Sequence, residues 1–158
     1  MDESYQVEFY FLSPGCTQVD EQGVEVLDDL GKEQVTDACS VLEKIKDWDG
    51  WILFDPLSRV AFNTARVVIQ CTNRPGIAKT GGSLNAEMSD EALWAWMART
   101  VADGHKRVFV AVLPYATASQ LLDTDEELLV YEAAIVHYSC VFKQGELVIE
   151  ASETLTSF

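Results

Sequence analysis

Residues 51–54 read Trp-Ile-Leu-Phe, and Asp55-Pro56-Leu57-Ser58-Arg59 follows at once. An apolar run without alternation is what a parallel strand covered on both faces requires. Proline at position 56 ends it, because proline has no N–H for the ladder. A helix is then expected from Leu57 or Ser58 to about Gln70. Val60/Ala61, Thr64/Ala65 and Val68 form its inner stripe, and Asn73-Arg74-Pro75-Gly76 stops it. A covered strand feeding an amphipathic helix is the building unit of an α/β sandwich.

The pattern extends in both directions. Upstream, Gln6 to Leu12 (QVEFYFL) is an aromatic and β-branched strand that ends at Ser13-Pro14-Gly15. Cys16 to Val26 reads as a polar loop. Asp28 or Asp29 caps a helix whose apolar stripe is Val35, Ala38, Cys39, Leu42 and Ile45. Asp47-Trp48-Asp49-Gly50 breaks that helix. Downstream, Gly76 to Ser83 reads as a glycine-rich loop, and a third helix is expected from about Ser89 to Ala102. Leu93, Trp96, Met97, Thr100 and Val101 share one of its faces; Trp94 falls off the stripe, to lie along a loop or to anchor an interface. A turn at Asp103 to Lys106 leads into Arg107 to Leu113 (RVFVAVL), a second covered strand. Ala116 to Leu122 suits one or two helical turns, and Asp123 to Glu127 an acidic loop or helix start. Val136 to Phe142 and Glu146 to Ala151 flank Lys143-Gln144-Gly145 as a hairpin. The expected fold is a three-layer α/β/α sandwich with a mainly parallel sheet and a C-terminal antiparallel hairpin.

Composition narrows the function classes. A chain of 158 residues suggests one domain, spanning 1–158. With 48% hydrophobic and 23% charged residues it has a core-forming composition rather than a disordered one. No stretch approaches the roughly 18 apolar residues of a membrane span. Met1-Asp2-Glu3-Ser4 is acidic where a signal peptide would be basic, so a cytoplasmic location is expected. The net charge of -15 repels nucleic acid and anionic lipid. It either serves solubility alone or presents an acidic surface to a basic protein partner. The oligomeric state is not legible. Cys16, Cys39, Cys71 and Cys140 form no C-x-x-C pair and sit near no histidine at ligand spacing. They read as free thiols in a reducing compartment, with no metal and no cofactor implied. The acidic groups Asp28/Asp29 and Asp123/Asp125/Glu126/Glu127 are explained by capping and solvation rather than by a bound cation.

Ligands of open α/β sheets bind beyond the carboxyl ends of the strands. Those ends are Ser13 to Thr17, Asp55 to Arg59, and Pro114-Tyr115. Arg59 is their single cation, and Ser13, Thr17 and Ser58 supply hydroxyls, so these four are the candidate anion-binding residues. Arg59 either binds a small anion or pairs with Asp55. Cys16 lacks the Cys-x5-Arg spacing of a phosphatase thiol loop and reads as idle. The Gly76–Ser83 segment contains Lys79 but not the order of a phosphate-binding P-loop. His105, in a turn, and His137, in a strand, are not expected to reach the crevice.

Several local strings, in the right order, resemble the histidine phosphatase superfamily with its phosphoglycerate mutase-like fold. Where that family ends its first strand in Arg-His-Gly-Glu-Thr, this chain has Ser13-Pro14-Gly15-Cys16-Thr17. Leu27 to Val35 is similar to the family's Leu-Thr-x-x-Gly-x-x-Gln-Ala helix start, and Asp55-Pro56-Leu57-Ser58-Arg59 to its Ser-Pro-Leu-x-Arg segment. Thr64-Ala65 follows one residue later than in the family pattern. Val112-Leu113-Pro114-Tyr115 stands where the family has Val-x-His-Gly. The resemblance covers roughly residues 6–150. It implies a domain in which Pro14 and Pro114 replace both catalytic histidines and Ser13 replaces an arginine, leaving Arg59 from the phosphate-binding set. Proline offers neither a nucleophile nor a proton. The expected function is therefore a catalytically inactive, pseudophosphatase-like binding or scaffold protein. The alternatives are a weakly active enzyme on a small phosphorylated or anionic substrate using Arg59 and perhaps Cys16, and an acidic interaction protein.

Overall fold

The computed structural model describes residues 4–12, 16–43, 50–54, 59–73, 76–78, 90–104, 108–112 and 135–154. In chain order these form β1 (Ser4–Leu12), β2 (Thr17–Val19), β3 (Glu25–Leu27), α1 (Asp29–Leu42), β4 (Gly50–Phe54), α2 (Arg59–Thr72), β5 (Gly76–Ala78), α3 (Asp90–Gly104), β6 (Val108–Val112), β7 (Ile135–Lys143) and β8 (Glu146–Thr154). The main sheet has six strands in the order β5-β4-β6-β1-β7-β8. β5, β4, β6 and β1 run parallel, while β7 and β8 are antiparallel to their neighbours. This is the expected sandwich, mainly parallel with a terminal antiparallel hairpin.

Strand order explains the layers. The chain moves from β1 outward to β4 and then β5, then returns to lay β6 between β4 and β1. Right-handed crossovers put helices made on the outward journey on one face and those on the return on the other. Accordingly α1 and α2 pack with Tyr10, Leu12, Ile52, Val110 and Val112, whereas α3 packs Met97 and Val101 with Phe9, Phe11, Leu53 and Phe109. The period-2 alternation of β1 and β6 divides the residues between the two layers.

α2 buries Val60, Ala61, Thr64, Ala65 and Val68, the expected stripe. Thr64 is tolerated at 0% exposure because its hydroxyl donates to the Val60 carbonyl at 2.8 Å. The helix runs on to Thr72 and closes through Asn73, whose φ of 55° is left-handed and whose N–H donates to the Ile69 carbonyl at 2.8 Å. α1 is capped by Asp28, whose carboxylate accepts from the Gly31 N–H at 2.7 Å. Its buried residues are Gly31, Val35, Ala38, Cys39 and Leu42; Ile45 lies outside the described residues. The β7–β8 turn has Gln144 at φ 55° and Gly145 at φ 78°, a type I′ arrangement that matches strand twist.

Three expectations are corrected. The Cys16–Val26 segment is no plain loop: β2 and β3 pair as a small hairpin, tied by the Asp20 carboxylate, which accepts from the Gln22 and Val24 N–H groups at 2.9 Å each. Its strands are short and mostly exposed, so they carry no apolar alternation. Gly76–Ala78 is strand rather than loop, pairing with Ile52–Phe54 at the sheet margin. Asp103 and Gly104 belong to α3 rather than to a turn. Trp94, off the stripe, is partly exposed as expected, and lines a shallow cavity with Gly145 of the β7–β8 turn. It packs edge-on against Phe9, Phe11 and Tyr138 at 5.0–5.8 Å between ring centres. An indole is wide enough to reach the sheet from beside the stripe.

Candidate functional site

The carboxyl ends of β1, β4, β5 and β6 all lie along one margin of the sheet. Leu12 and Val112 form the last rung between β1 and β6. This margin, between adjacent strands where the winding direction reverses, is where ligands of α/β sheets generally bind. Ser13, Pro14, Gly15, Ser58, Pro114 and Tyr115 lie outside the described residues, as do Asp55, Lys79 and His105. In sequence, Pro14 and Pro114 each stand two places beyond that shared rung.

Cys16 is the best-defined member of the site, and its main chain is what is held. Its N–H donates to Gln34 Oε1 at 2.8 Å, and its carbonyl accepts from the Asp28 N–H at 3.2 Å. Gly31 lets α1 come this close: a Cβ there would fall on the Cys16 carbonyl. The thiol itself donates to the Asp28 carboxylate. That bond, with a smaller contribution from burial, raises the Cys16 pKa; the same bond and the Gly31 N–H hold Asp28 below its ordinary range. A nucleophilic thiol needs the opposite environment. Through its main chain, Cys16 ties the start of β2 to the N-terminal part of α1.

Thr17 opens β2, half-buried, opposite Leu27. Arg59 is exposed and is the first residue of α2, whose first turn holds no acidic side chain. A guanidinium at the positive end of a helix dipole is an unfavourable placement on its own and a favourable one beside an anion. Thus Cys16, Thr17 and Arg59 all lie on segments adjoining the carboxyl margin.

A second polar cluster escaped the sequence reading. It lies on the α1/α2 face of the sheet, across β1, β7 and β8. His137 Nε2 is 2.7 Å from Glu8 Oε2, and Nδ1 is 3.2 Å from Glu153 Oε1. Ser139 Oγ donates to the same Glu8 oxygen at 2.7 Å. The Tyr10 ring stacks on the imidazole at 4.4 Å, with only 1° between planes. Burial, then Glu8 and Glu153, push the Tyr10 pKa up to about 12. His137, Ser139, Ala151, Ser152 and Glu153 line a shallow cavity of about 200 Å³. Serine and histidine both converge on Glu8 rather than on each other, so the group lacks the nucleophile-to-base bond of a catalytic relay. The clue in the sequence was Glu8, a carboxylate set between Val7 and Phe9 in the middle of β1. Among the described residues no group of His, Cys, Asp or Glu is arranged to hold a metal ion.

No family model matches the sequence, and no curated protein matches it. Solved structures do match. The protein histidine phosphatase SixA complexed with tungstate superposes with a TM-score of 0.71 at 16% identity, over 94% of this chain and 97% of that one. A mycobacterial hydrolase gives 0.59 at 15% identity, over 96% of this chain and 94% of its own. Mycobacterial glucosyl-3-phosphoglycerate phosphatase gives 0.58 at 14% identity, over 96% and 98%. The chain has the fold of the histidine phosphatase superfamily.

Proposed function

We propose that this chain is a histidine-phosphatase-fold domain that has lost phosphoryl transfer and acts as a cytoplasmic binding or scaffold protein. One observation carries the reading. The Leu12–Val112 rung aligns the two strands, and each strand is followed, two positions on, by proline where the resembling family places histidine. The reaction needs one imidazole to take the phosphoryl group and cations around its oxygens. A pyrrolidine ring does neither, and Ser13 removes one of the cations. The Cys16 thiol is a poor substitute, because Asp28 beside it raises its pKa.

The test is phosphatase turnover on a generic aryl phosphate, in the native chain and in Arg59→Ala. The expected result is no enzyme-dependent turnover in either. Turnover that disappears in Arg59→Ala would overturn the proposal in favour of a weak enzyme. A reciprocal test installs Ser13→Arg, Pro14→His and Pro114→His together; activity gained only in the triple variant supports a lost mechanism on an intact frame.

A second element of the reading is a small anion held by Arg59. It is favoured by the cationic first turn of α2 without an acidic neighbour in that turn. Inorganic phosphate titrated against the native chain should shift resonances around Arg59, and Arg59→Ala should abolish the shift. A scaffold with 26 acidic against 11 basic residues suits a basic protein partner, whose binding weakens as salt rises.

A further inference from the structure

The outer side of α2 carries a polar stripe. Arg59, Asn63, Arg66 and Gln70 recur at spacings of four, three and four, so they share one side of the helix. Arg59 begins the stripe beside the carboxyl margin, and Arg66 follows about 10 Å further along the axis. There α1 packs alongside and adds Lys32, at the end of its own first turn. Lys32, Asn63, Arg66, Val67 and Gln70 together line an open groove of about 300 Å³. Lys32, Arg66 and Gln70 are exposed, and Asn63 and Val67 are half-buried.

We propose that this groove is a second anion site, for a small phosphorylated polyol such as a sugar phosphate. Two cations meet there in a chain with 26 acidic against 11 basic residues, and no carboxylate is among the lining side chains. Asp29 stands one turn before Lys32, and Glu33 directly after it, but neither belongs to the lining. Among the described residues no ion pair joins Lys32 or Arg66 to a carboxylate; the pairs present are those of His137. Neighbouring cations repel each other, and in so acidic a chain a carboxylate between them is the simplest relief. An anion held between the two supplies that relief instead.

The lining also selects the rest of the ligand. Arg66 offers a planar fork of N–H donors to a phosphate, and Lys32 a compact point charge. Asn63 and Gln70 stand one turn to either side of Arg66, and their carboxamides both donate and accept, as hydroxyl groups require. Val67 is the single apolar side chain of the lining and no aromatic ring joins it, so a nucleobase has nothing to stack on. The volume is more than a bare phosphate fills and lies at the small end of the range for ligand pockets. The net charge of -15 opposes anions from a distance. Charges more than about 8 Å away are largely screened at physiological salt, so the lining governs. Binding here depends neither on catalysis in the crevice nor on an anion at Arg59.

The experiment titrates the full chain with glucose 6-phosphate, inorganic phosphate and glucose, and follows backbone and carboxamide resonances. Glucose 6-phosphate should shift the signals of Lys32, Asn63, Arg66 and Gln70 with the highest affinity, inorganic phosphate more weakly, and glucose not at all. Lys32→Gln and Arg66→Gln should each weaken glucose 6-phosphate binding about tenfold. Both positions are exposed, so the variants keep the fold, which the unshifted remainder of the spectrum verifies. Arg59→Ala should remove shifts at the start of α2 and leave those of the groove, so an anion at Arg59 and an anion in the groove stand or fall separately. Shifts confined to Arg59, none at millimolar glucose 6-phosphate, or groove shifts that survive in the Lys32→Gln, Arg66→Gln double variant would each overturn the site. Inorganic phosphate binding as tightly as glucose 6-phosphate would overturn its preference for a polyol.

Discussion

Strand β1 has two neighbours on the α1/α2 face, and they solve burial differently. Toward β6 the facing residues are Val108, Val110 and Val112, and with α1 and α2 they form one apolar cluster. Toward β7 the facing residues begin with Ile135 and continue with His137 and Ser139, which bond to Glu8 and Glu153. The parallel side is stabilised by area removed from water, worth roughly 25 cal/mol per Å². The antiparallel side instead satisfies each polar group with another, a gain of only about 1 kcal/mol per bond, but with a larger cost when one partner is lost. A single strand thus joins a covered half, where shape matters, to a more open half, where complete pairing matters.

This contrast can be tested from its strongest consequence to its weakest. Val110→Asp should unfold the domain, since it buries a carboxylate at a fully covered position with no partner; loss of the cooperative thermal transition is the readout. Gly31→Ala should cost about 2–3 kcal/mol in denaturant titration. The clash with the Cys16 carbonyl outweighs the roughly 1 kcal/mol that alanine gains in helix propensity. Glu8→Ala should cost about 2 kcal/mol by leaving His137 and Ser139 short of an acceptor. Replacing Glu8, His137 and Ser139 together by apolar residues of similar shape should recover most of that loss. Full recovery of stability by Glu8→Ala alone would dissolve the distinction between the two sides.

The smallest effect is on pH. Tyr10 has a folded pKa of about 12 against an ordinary 10.0, so the folded state holds its proton more tightly. That contribution is fully present below about pH 10 and is lost as the pH rises toward 12. Unfolding curves of Tyr10→Phe across this window should fall less steeply than those of the native chain.

The sequence was most legible on the covered side. Trp51 to Phe54 and Val108 to Val112 are uniformly apolar because helices lie on both faces, and α2 shows its stripe residue for residue. The polar side was harder to read. A hairpin is visible around Gln144-Gly145, but the pairing of Glu8 with His137 and Ser139 spans most of the chain and follows only from strand register. At the crevice, residue types announced which chemistry is missing, while the grip of Gln34 and Asp28 on Cys16 emerged only in three dimensions.

Among the described residues β8 is the outermost strand of the sheet order, nine residues long, and leaves Val148 and Ile149 well exposed. Such a margin invites another chain to add itself edge to edge. Glu146, Glu150 and Glu153 punctuate the same strand and are exposed beside those side chains. Two copies brought together there would set carboxylates against carboxylates. Part of the chain's negative charge thus opposes edge-to-edge pairing there, and acid strong enough to neutralise it should be the condition under which this protein first clumps.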